Sequence, residues 1–272
     1  MTERCEPSAA VLPPKLDVVL LAAAGNEGQL RGASAEPWEA LIPIAGRPMV
    51  AYVTAALAES TRSGRIVCVG PPAVVEAAAA AAPGRVTGVL PAGDLLGNLE
   101  RGLAAAAGDY VMVVTSDIPL LKPYMVDDFV RRCEQGGEAM DVWYAVVERS
   151  AGERAYPGVR RTWVRLQDGT FTGGNLLVVS RDIVARPRRL LGPTLEGRKS
   201  PLTLARLLGP VALLRFMVGR LSIVDVERRV GAMLGIRGRA VATPYVEIGI
   251  DVDKPDDLAL AKRFLAPTHA GA

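Results

Sequence analysis

The sequence predicts one α/β domain built on a doubly wound, mostly parallel sheet, and three observations lead to that fold class. Short apolar runs alternate with helical patterns over the first half of the chain. The connections between them are short, and the apolar runs are continuous where a half-exposed strand would alternate with polar residues. Continuous apolar strands separated by helices are typical of a parallel sheet covered on both faces. The 272 residues suffice for such a domain, and no internal repeat or linker marks a second one.

The chain begins with a strand, a glycine-bearing loop and a helix. The apolar run 18–24 ends at Gly25, a loop of small and polar residues follows, and Gly46-Arg47-Pro48 opens the helix. Such a loop leaves backbone N–H groups free to bind a phosphate, although a glycine that only makes the turn gives the same pattern. The elements predicted next are helix 49–59, strand 65–69, helix 73–82, strand 86–90, helix 94–107, strand 110–114, helix 126–135 and strand 142–147.

The pattern changes in the second half of the chain. Asp168-Gly169, set between alternating residues, predicts a hairpin over 162–175. Residues 199–234 have an almost entirely helical pattern and predict a helical insertion, which covers one side of the sheet or packs on another subunit as a homodimer contact. The remaining predicted elements are a strand at 176–179, a strand at 245–250 and a closing helix at 255–264.

Residues 16–266 are predicted to form the domain, between a flexible N-terminal segment, 1–15, and a flexible tail, 267–272. No apolar run reaches the roughly 18 residues needed to span a bilayer, so no membrane span is expected. The net charge of +3, without a dense Lys/Arg block, argues against a nucleic-acid partner. The three scattered cysteines show no CxxC spacing and indicate reduced thiols. We therefore expect a cytoplasmic protein.

The histidine content limits the chemistry. The only histidine, His269, lies in the predicted tail. This argues against Ser-His-Asp and Cys-His catalysis and against histidine-ligated metals. A bound metal would need oxygen ligands, which points to Mg²⁺ or Mn²⁺.

Carboxylates follow two of the predicted strands. The segment Thr115-Ser116-Asp117 comes directly after strand 110–114, and the C-terminal strand ends of an open parallel sheet line its ligand crevice. Asp117 is well placed to bind a divalent cation, and capping of a helix or turn is the alternative. Asp251 and Asp253 are two residues apart, so in an extended segment both would face one cation. Asp253 also suits the N-cap of the closing helix.

Glycines and cations complete the candidates. Gly173-Gly174 would let the backbone approach a ligand closely, and Asn175 could hydrogen-bond a hydroxyl, while a tight turn explains the same residues. The candidate phosphate partners are Arg31, Arg47, Lys122 and Lys199.

Taken together, these segments resemble the MobA-like NTP transferase family of the nucleotidyltransferase superfamily. The matching segments, in order, are LLAAAG, EALIPIAGRPMV, TSDIPLL, TGGN and GIDVDKPDDLALA. They extend over residues 16–266, essentially the whole chain. The resemblance implies a Rossmann-like fold of the glycosyltransferase-A type and a transferase that binds an NTP and Mg²⁺ (or Mn²⁺).

The resemblance also implies the roles of individual residues. Asp117 would bind the metal, Asp251 or Asp253 would complete its site, and Asn98 would contact the base. The catalytic residues implied are Asp117, Arg31 and Lys199. The nucleotide-binding residues implied are Leu21, Ala22, Ala23, Ala24, Gly25, Asn98, Ser116, Gly174 and Asn175.

One residue departs from the family pattern. Glu39 occupies the position where the family has a Lys, and a carboxylate repels triphosphate charge unless a metal intervenes. Arg31, Arg47 or Lys199 then supplies the positive charge, or catalysis is weakened or lost. The reaction expected first is transfer of a nucleoside monophosphate to a small phosphorylated acceptor, with release of pyrophosphate. The alternatives are glycosyl transfer from a nucleotide-sugar and a nucleotide-binding scaffold without catalysis.

Overall fold

The computed structural model describes residues 12–156, 161–185 and 209–266. Its strands are β1 (Leu16–Leu21), β2 (Pro43–Ile44), β3 (Arg47–Pro48), β4 (Ser63–Val69), β5 (Val86–Val89), β6 (Tyr110–Thr115), β7 (Val142–Glu148), β8 (Val164–Leu166), β9 (Gly169–Ser180) and β10 (Gly238–Thr243). Its α-helices are α1 (Met49–Glu59), α2 (Pro72–Ala81), α3 (Leu95–Ala105), α4 (Pro123–Glu134), α5 (Arg149–Ala155), α6 (Pro210–Met217), α7 (Ile223–Leu234) and α8 (Pro255–Leu265). Single 3₁₀ turns lie at Gln29–Gly32, Glu39–Leu41, Arg181–Ala185 and Val246–Gly249.

An eight-stranded sheet in the order β10-β7-β9-β6-β1-β4-β5 forms the centre of the fold, with β8 paired to β9. β1 pairs in parallel with β4 and β6, β4 with β5, and β7 with β10. β9 runs antiparallel to its neighbours β6, β7 and β8. The predicted α/β class with a mostly parallel sheet is therefore confirmed.

Alternate residues of the central strands face opposite layers of helices. Val18 and Leu20 of β1 pack in one core cluster with side chains of α1, α2 and α4. Val19 packs in a second cluster with Leu103 of α3. At Gly102 a Cβ atom would lie only 2.4 Å from a methyl carbon of Val19, so glycine lets α3 approach the sheet closely. This arrangement explains why the strand sequences are continuously apolar.

Two predicted strands were placed wrongly. Residues 246–249 form a 3₁₀ turn, and the last strand is β10, at Gly238–Thr243. β10 is an edge strand that pairs only with β7 among the described strands, so its sequence GRAVAT needs less apolar surface than a central strand. Residues 176–179 are not a separate strand, because β9 continues without a break from Gly169 to Ser180.

The described part of the predicted insertion, residues 209–234, contains α6 and α7 with a break around Gly219. Residues 199–208 of the prediction lie outside the described residues, as do 1–11 and 267–272. Ala212 and Leu221 are buried against Leu166 of β8, so these helices pack on the hairpin. Apolar side chains remain exposed on and just after α6 in the described chain, namely Val211, Leu214, Met217 and Val218. A homodimer contact through this segment stays a prediction.

The two-residue turn between β2 and β3 gives a prediction about stability. Ala45 has φ +48° and Gly46 has φ +81°, and Ala45 is exposed. A left-handed conformation disfavours alanine, whereas Asn-Gly is the preferred sequence of a turn with two positive φ angles. We expect Ala45→Asn to raise the free energy of unfolding by about 0.5–1 kcal/mol, measured by urea denaturation. Ala33→Asn, at an exposed alanine with φ −101°, is the matched control, and an equal gain there would contradict the explanation.

Candidate active site

The site lies where the direction of the strand order reverses. β4 and β6 flank β1, and Leu21 at the end of β1 aligns with Val69 on one side and Thr115 on the other. The chain crosses from β1 to β4 on one side and later from β5 to β6 on the other side, which opens a crevice at the carboxyl ends of these strands. The loops that follow Leu21 and Thr115 therefore lie side by side, and the N–H of Ser116 donates to the Leu21 carbonyl at 3.0 Å.

The loop after β1 presents unused backbone donors. Within the described residues, the N–H groups of Ala23, Ala24 and Gly25 donate no hydrogen bond. Gly25 bridges Trp38 in an antiparallel pair, and the N–H of Glu39 donates to the Ala24 carbonyl at 3.1 Å. The returning chain thus fixes the loop while its donors stay available to an anion.

Asn26 holds this loop in shape and was not singled out from the sequence. Its side-chain amide donates to the carbonyls of Ser34 at 3.0 Å and Glu36 at 2.9 Å, and its own N–H donates to the Pro37 carbonyl. The residue is 2% exposed, and its side-chain oxygen is buried without a partner among the described atoms. An asparagine directly after Gly25 was the only signal available in the sequence.

Three carboxylates meet beside this loop. One oxygen from each of Asp117, Asp251 and Asp253 lies within 4.8 Å of the others. The N–H of Val252 donates to the Asp117 carbonyl at 2.8 Å, which ties the two segments together. Val252 is buried in an apolar cluster with Leu30, so the aspartates on either side of it face the cluster of carboxylates. The structure thus brings together the three side chains that the sequence suggested as metal ligands.

The electrostatics of the cluster suit a divalent cation. Burial, together with the charges of Asp251 and Asp253, raises the pKa of Asp117 from 3.8 to about 7, although the Thr115 hydroxyl donates a hydrogen bond that favours the ionised form. A cation between the carboxylates would relieve this repulsion. Carboxylate oxygens are also the donors that Mg²⁺ and Mn²⁺ prefer. The residues present therefore fit the expected metal.

Arg161 is a further charged residue at the cluster, and sequence reasoning missed it. Its guanidinium forms an ion pair with the Asp251 carboxylate and donates to the Asp251 carbonyl at 2.8 Å. It also lies 3.8 Å from the carboxylate of Asp257, in the first turn of α8. Arg161 precedes β8 in a segment without a recognisable motif, so no sequence signal connected it to Asp251.

Three of the predicted nucleotide-binding residues make contacts within the protein. The Asn98 side-chain oxygen accepts a hydrogen bond from the Ala92 N–H at 2.7 Å. Asn175 is buried, and its amide donates to the Ile248 carbonyl at 3.3 Å. A Cβ atom on Gly174 would lie 2.8 Å from a methyl carbon of Ile248. These contacts position loops around the site, and direct binding of a ligand by the three residues stays a prediction.

Two of the four candidate phosphate partners make hydrogen bonds to nearby backbone carbonyls. Arg31 donates to the Ala35 carbonyl at 3.2 Å within its own loop. Arg47 donates to the Ala51 carbonyl at 2.8 Å and lies over the Tyr52 ring. Lys122 is exposed at the start of α4, and Lys199 lies outside the described residues.

Glu39 faces the loop after β1, and this gives a second prediction. A Cβ atom on Gly28 would lie 3.8 Å from a carboxylate oxygen of Glu39. Negative charge at this position opposes binding of a triphosphate, so we expect Glu39→Gln to lower the Kd of an Mg²⁺–NTP complex by about three- to tenfold in calorimetric titration. Glu59→Gln, at the exposed far end of α1, should leave that Kd unchanged. Equal values for the two variants would remove Glu39 from the phosphate site.

A crevice at the strand ends, with backbone N–H donors beside a cluster of carboxylates, is typical of α/β proteins that bind phosphate-bearing ligands. Residues 20–205 match the MobA-like NTP transferase domain, and the chain belongs to this family. The predicted resemblance and the assignment as a MobA-like nucleotidyltransferase are thereby confirmed.

Solved structures agree with this family. A structure described as a hypothetical transferase from Thermus thermophilus is 36% identical, with 90% of this chain and 99% of that chain covered and a TM-score of 0.73. A CMP:2-keto-3-deoxy-manno-octonic acid synthetase complexed with CTP is 17% identical, with 92% and 98% covered and a TM-score of 0.56. A 4-diphosphocytidyl-2C-methyl-D-erythritol synthase from Anaerococcus prevotii DSM 20548 is 10% identical, with 93% and 99% covered and a TM-score of 0.57. The last two share the fold. No curated protein matches the sequence.

Among the helices of the described residues, none has the length and apolar character needed to cross a membrane.

Proposed function

We propose that this protein transfers a nucleoside monophosphate from an NTP to a small phosphorylated acceptor, releases pyrophosphate and depends on Mg²⁺. The observation that supports this most directly is the cluster of Asp117, Asp251 and Asp253, whose carboxylate oxygens lie within 4.8 Å of one another at the end of β6. The adjacent loop after β1 offers backbone donors to the phosphates. The family supports the class of reaction, and the cluster has the oxygen ligands that the metal of an Mg²⁺–NTP complex would need.

In this reaction an oxygen of the acceptor attacks the α-phosphorus of the NTP. The bond from the acceptor oxygen to that phosphorus forms, the bond from the α-phosphorus to the bridging oxygen breaks, and pyrophosphate leaves with the electron pair. The N–H groups of Ala23, Ala24 and Gly25 bind and orient the phosphates. Asp117, Asp251 and Asp253 would hold Mg²⁺, which supplies neutralisation of the phosphate charge when bound. No covalent intermediate with the protein is required, which suits the absence of a histidine from residues 1–268.

The test is a screen of the full chain with ATP, GTP, CTP and UTP. Each nucleotide is added with Mg²⁺ or with a chelator, in the presence of phosphorylated sugars, polyols, acids and a molybdopterin-type acceptor. We expect one nucleotide to raise Tm in a metal-dependent way and to yield pyrophosphate with one acceptor class. Reactions without acceptor control for hydrolysis of the NTP.

Two other results would replace the proposal. Release of a nucleoside diphosphate from a nucleotide-sugar, without pyrophosphate from any NTP, would indicate glycosyl transfer. Metal-dependent stabilisation by a nucleotide without pyrophosphate from any acceptor would indicate a nucleotide-binding scaffold, the reading that Glu39 favours.

A further inference from the structure

Arg161 contacts the carboxylate cluster, and the proposed reaction gives it no role. Its side chain is 10% exposed, and its guanidinium contacts both the carboxylate and the carbonyl of Asp251. The same guanidinium lies 3.8 Å from the carboxylate of Asp257. Asp257 in turn accepts a hydrogen bond from the backbone of Asp253. Arg161 is therefore joined to both ends of the segment that supplies two of the three candidate metal ligands.

This placement sets up a competition for negative charge. A bare divalent cation bound by Asp117, Asp251 and Asp253 would share the Asp251 carboxylate with the guanidinium. Two cationic centres so close together repel each other, and partial burial strengthens the repulsion. A complex of the cation with an NTP has a net negative charge, so the same guanidinium attracts it. The positive charge of Arg161 thus disfavours binding of the bare cation and favours binding of the metal–NTP complex.

We propose that Arg161 makes this site select the divalent cation as its nucleotide complex over the bare ion. The inference rests on the proposed function, because it assumes that the cluster receives both a metal and an NTP. It assigns Arg161 as a specificity-determining residue that acts through Asp251, not as a catalytic residue. In the metal-free protein the guanidinium also serves as the counter-ion of Asp251 and Asp257.

The experiment measures two dissociation constants for the purified full chain. Bare Mn²⁺ is titrated without nucleotide and followed by electron paramagnetic resonance of the free ion. The Mn²⁺ complex of the NTP that gives the largest thermal shift is then titrated calorimetrically. For Arg161→Gln we expect bare Mn²⁺ to bind about tenfold tighter and the nucleotide complex to bind about tenfold more weakly. Arg161→Lys keeps the positive charge, so the nucleotide complex should still bind more tightly than bare Mn²⁺, as in the wild type.

Two further variants make the test selective. Arg165→Gln removes the same charge from an exposed position of β8 and should change neither constant. Asp257→Asn removes a negative charge beside Arg161, so bare Mn²⁺ should bind more weakly and the complex more tightly. This second variant tests the proposal with the opposite sign if Arg161→Gln does not fold.

The outcomes separate this role from a structural one and from the proposed reaction. If Arg161 only held the segment in place, both dissociation constants would rise together in Arg161→Gln. That result, or no change in either constant, overturns the proposal. The titration of bare Mn²⁺ involves no transfer of a nucleotide. Opposite shifts without any pyrophosphate formation would therefore reject the reaction while keeping the assignment of Arg161.

Discussion

Asp117→Asn will slow nucleotidyl transfer by at least about a thousandfold while leaving the metal-free protein at least as stable as the wild type. Activity falls because Asp117 is the member of the carboxylate cluster that directly follows β6, and an amide binds Mg²⁺ far more weakly than a carboxylate. Stability is preserved because the change removes one of three negative charges that repel one another. The measurements are the rate of pyrophosphate release and Tm in a chelator.

The difference in Tm between Asp117→Asn and the wild type should depend on pH. The pKa of Asp117 is raised from 3.8 to about 7 in the folded protein, so the folded state binds the proton more tightly than the unfolded state does. The contribution of this group to the free energy of unfolding is therefore most favourable below about pH 3.8 and is lost as pH rises from about 3.8 through about 7. The Tm advantage of Asp117→Asn in a chelator should be small at about pH 4, grow between about pH 4 and pH 7, and be largest at about pH 8.

Asp256→Asn is the matched control for both measurements, since Asp256 is exposed in the first turn of α8. It should keep the activity of the wild type. Full activity in Asp117→Asn would falsify the placement of the metal, and a large loss of Tm in a chelator would show that Asp117 has a structural role.

Gly174→Ala will lower the free energy of unfolding by about 1–3 kcal/mol and weaken binding of bare Mn²⁺ by at least about tenfold. The added Cβ atom would lie 2.8 Å from a methyl carbon of Ile248 and 3.0 Å from the Cβ atom of Ala145. Neither neighbour is the end of a flexible side chain, so the 3₁₀ turn at Val246–Gly249 must move. That turn leads directly into Asp251. Urea denaturation and the Mn²⁺ titration measure the two effects.

Gly173→Ala, one residue earlier, is the matched control. Its Cβ atom would meet the hydroxyl of Tyr144, the far end of a side chain that can rotate away. We expect a smaller loss of stability and an unchanged Kd for Mn²⁺. Equal losses of stability and of Mn²⁺ affinity in both variants would mean that β9 tolerates no side chain at either position. They would contradict the explanation that Gly174 affects the metal site through Ile248.

The residues whose positions were predicted correctly lie in segments whose local sequence determines their burial. The run YVMVV is buried on both faces, so it predicts β6 and places Asp117 at its end. The spacing of Asp251 and Asp253 around Val252 likewise predicts two carboxylates on one side. In each case the sequence neighbourhood alone determines burial and direction.

The residues that were misplaced depend on distant partners. The segment at 245–250 contains Tyr, Val and Ile, which favour strands, yet the chain turns there because it packs on β7 and β9. Gly173 and Gly174 were predicted at the start of a strand, with a tight turn as the alternative, but they lie inside β9, where they make room for Tyr144 and Ile248. Arg161 reaches Asp251 across a separation of 90 residues, and no local pattern encodes such a contact.

The position of β9 also has a consequence during synthesis of the chain. β9 lies between β6 and β7, although both of those strands precede it in the sequence. When residues up to 148 have emerged from the ribosome, β1, β4, β5 and β6 can already form a parallel sheet, but the free edge of β6 has no partner and β7 has none either. An unpaired apolar edge is a site of association with other chains. We therefore expect the growing chain to be prone to aggregation until Ser180, the last residue of the strand that pairs with both β6 and β7, has been added.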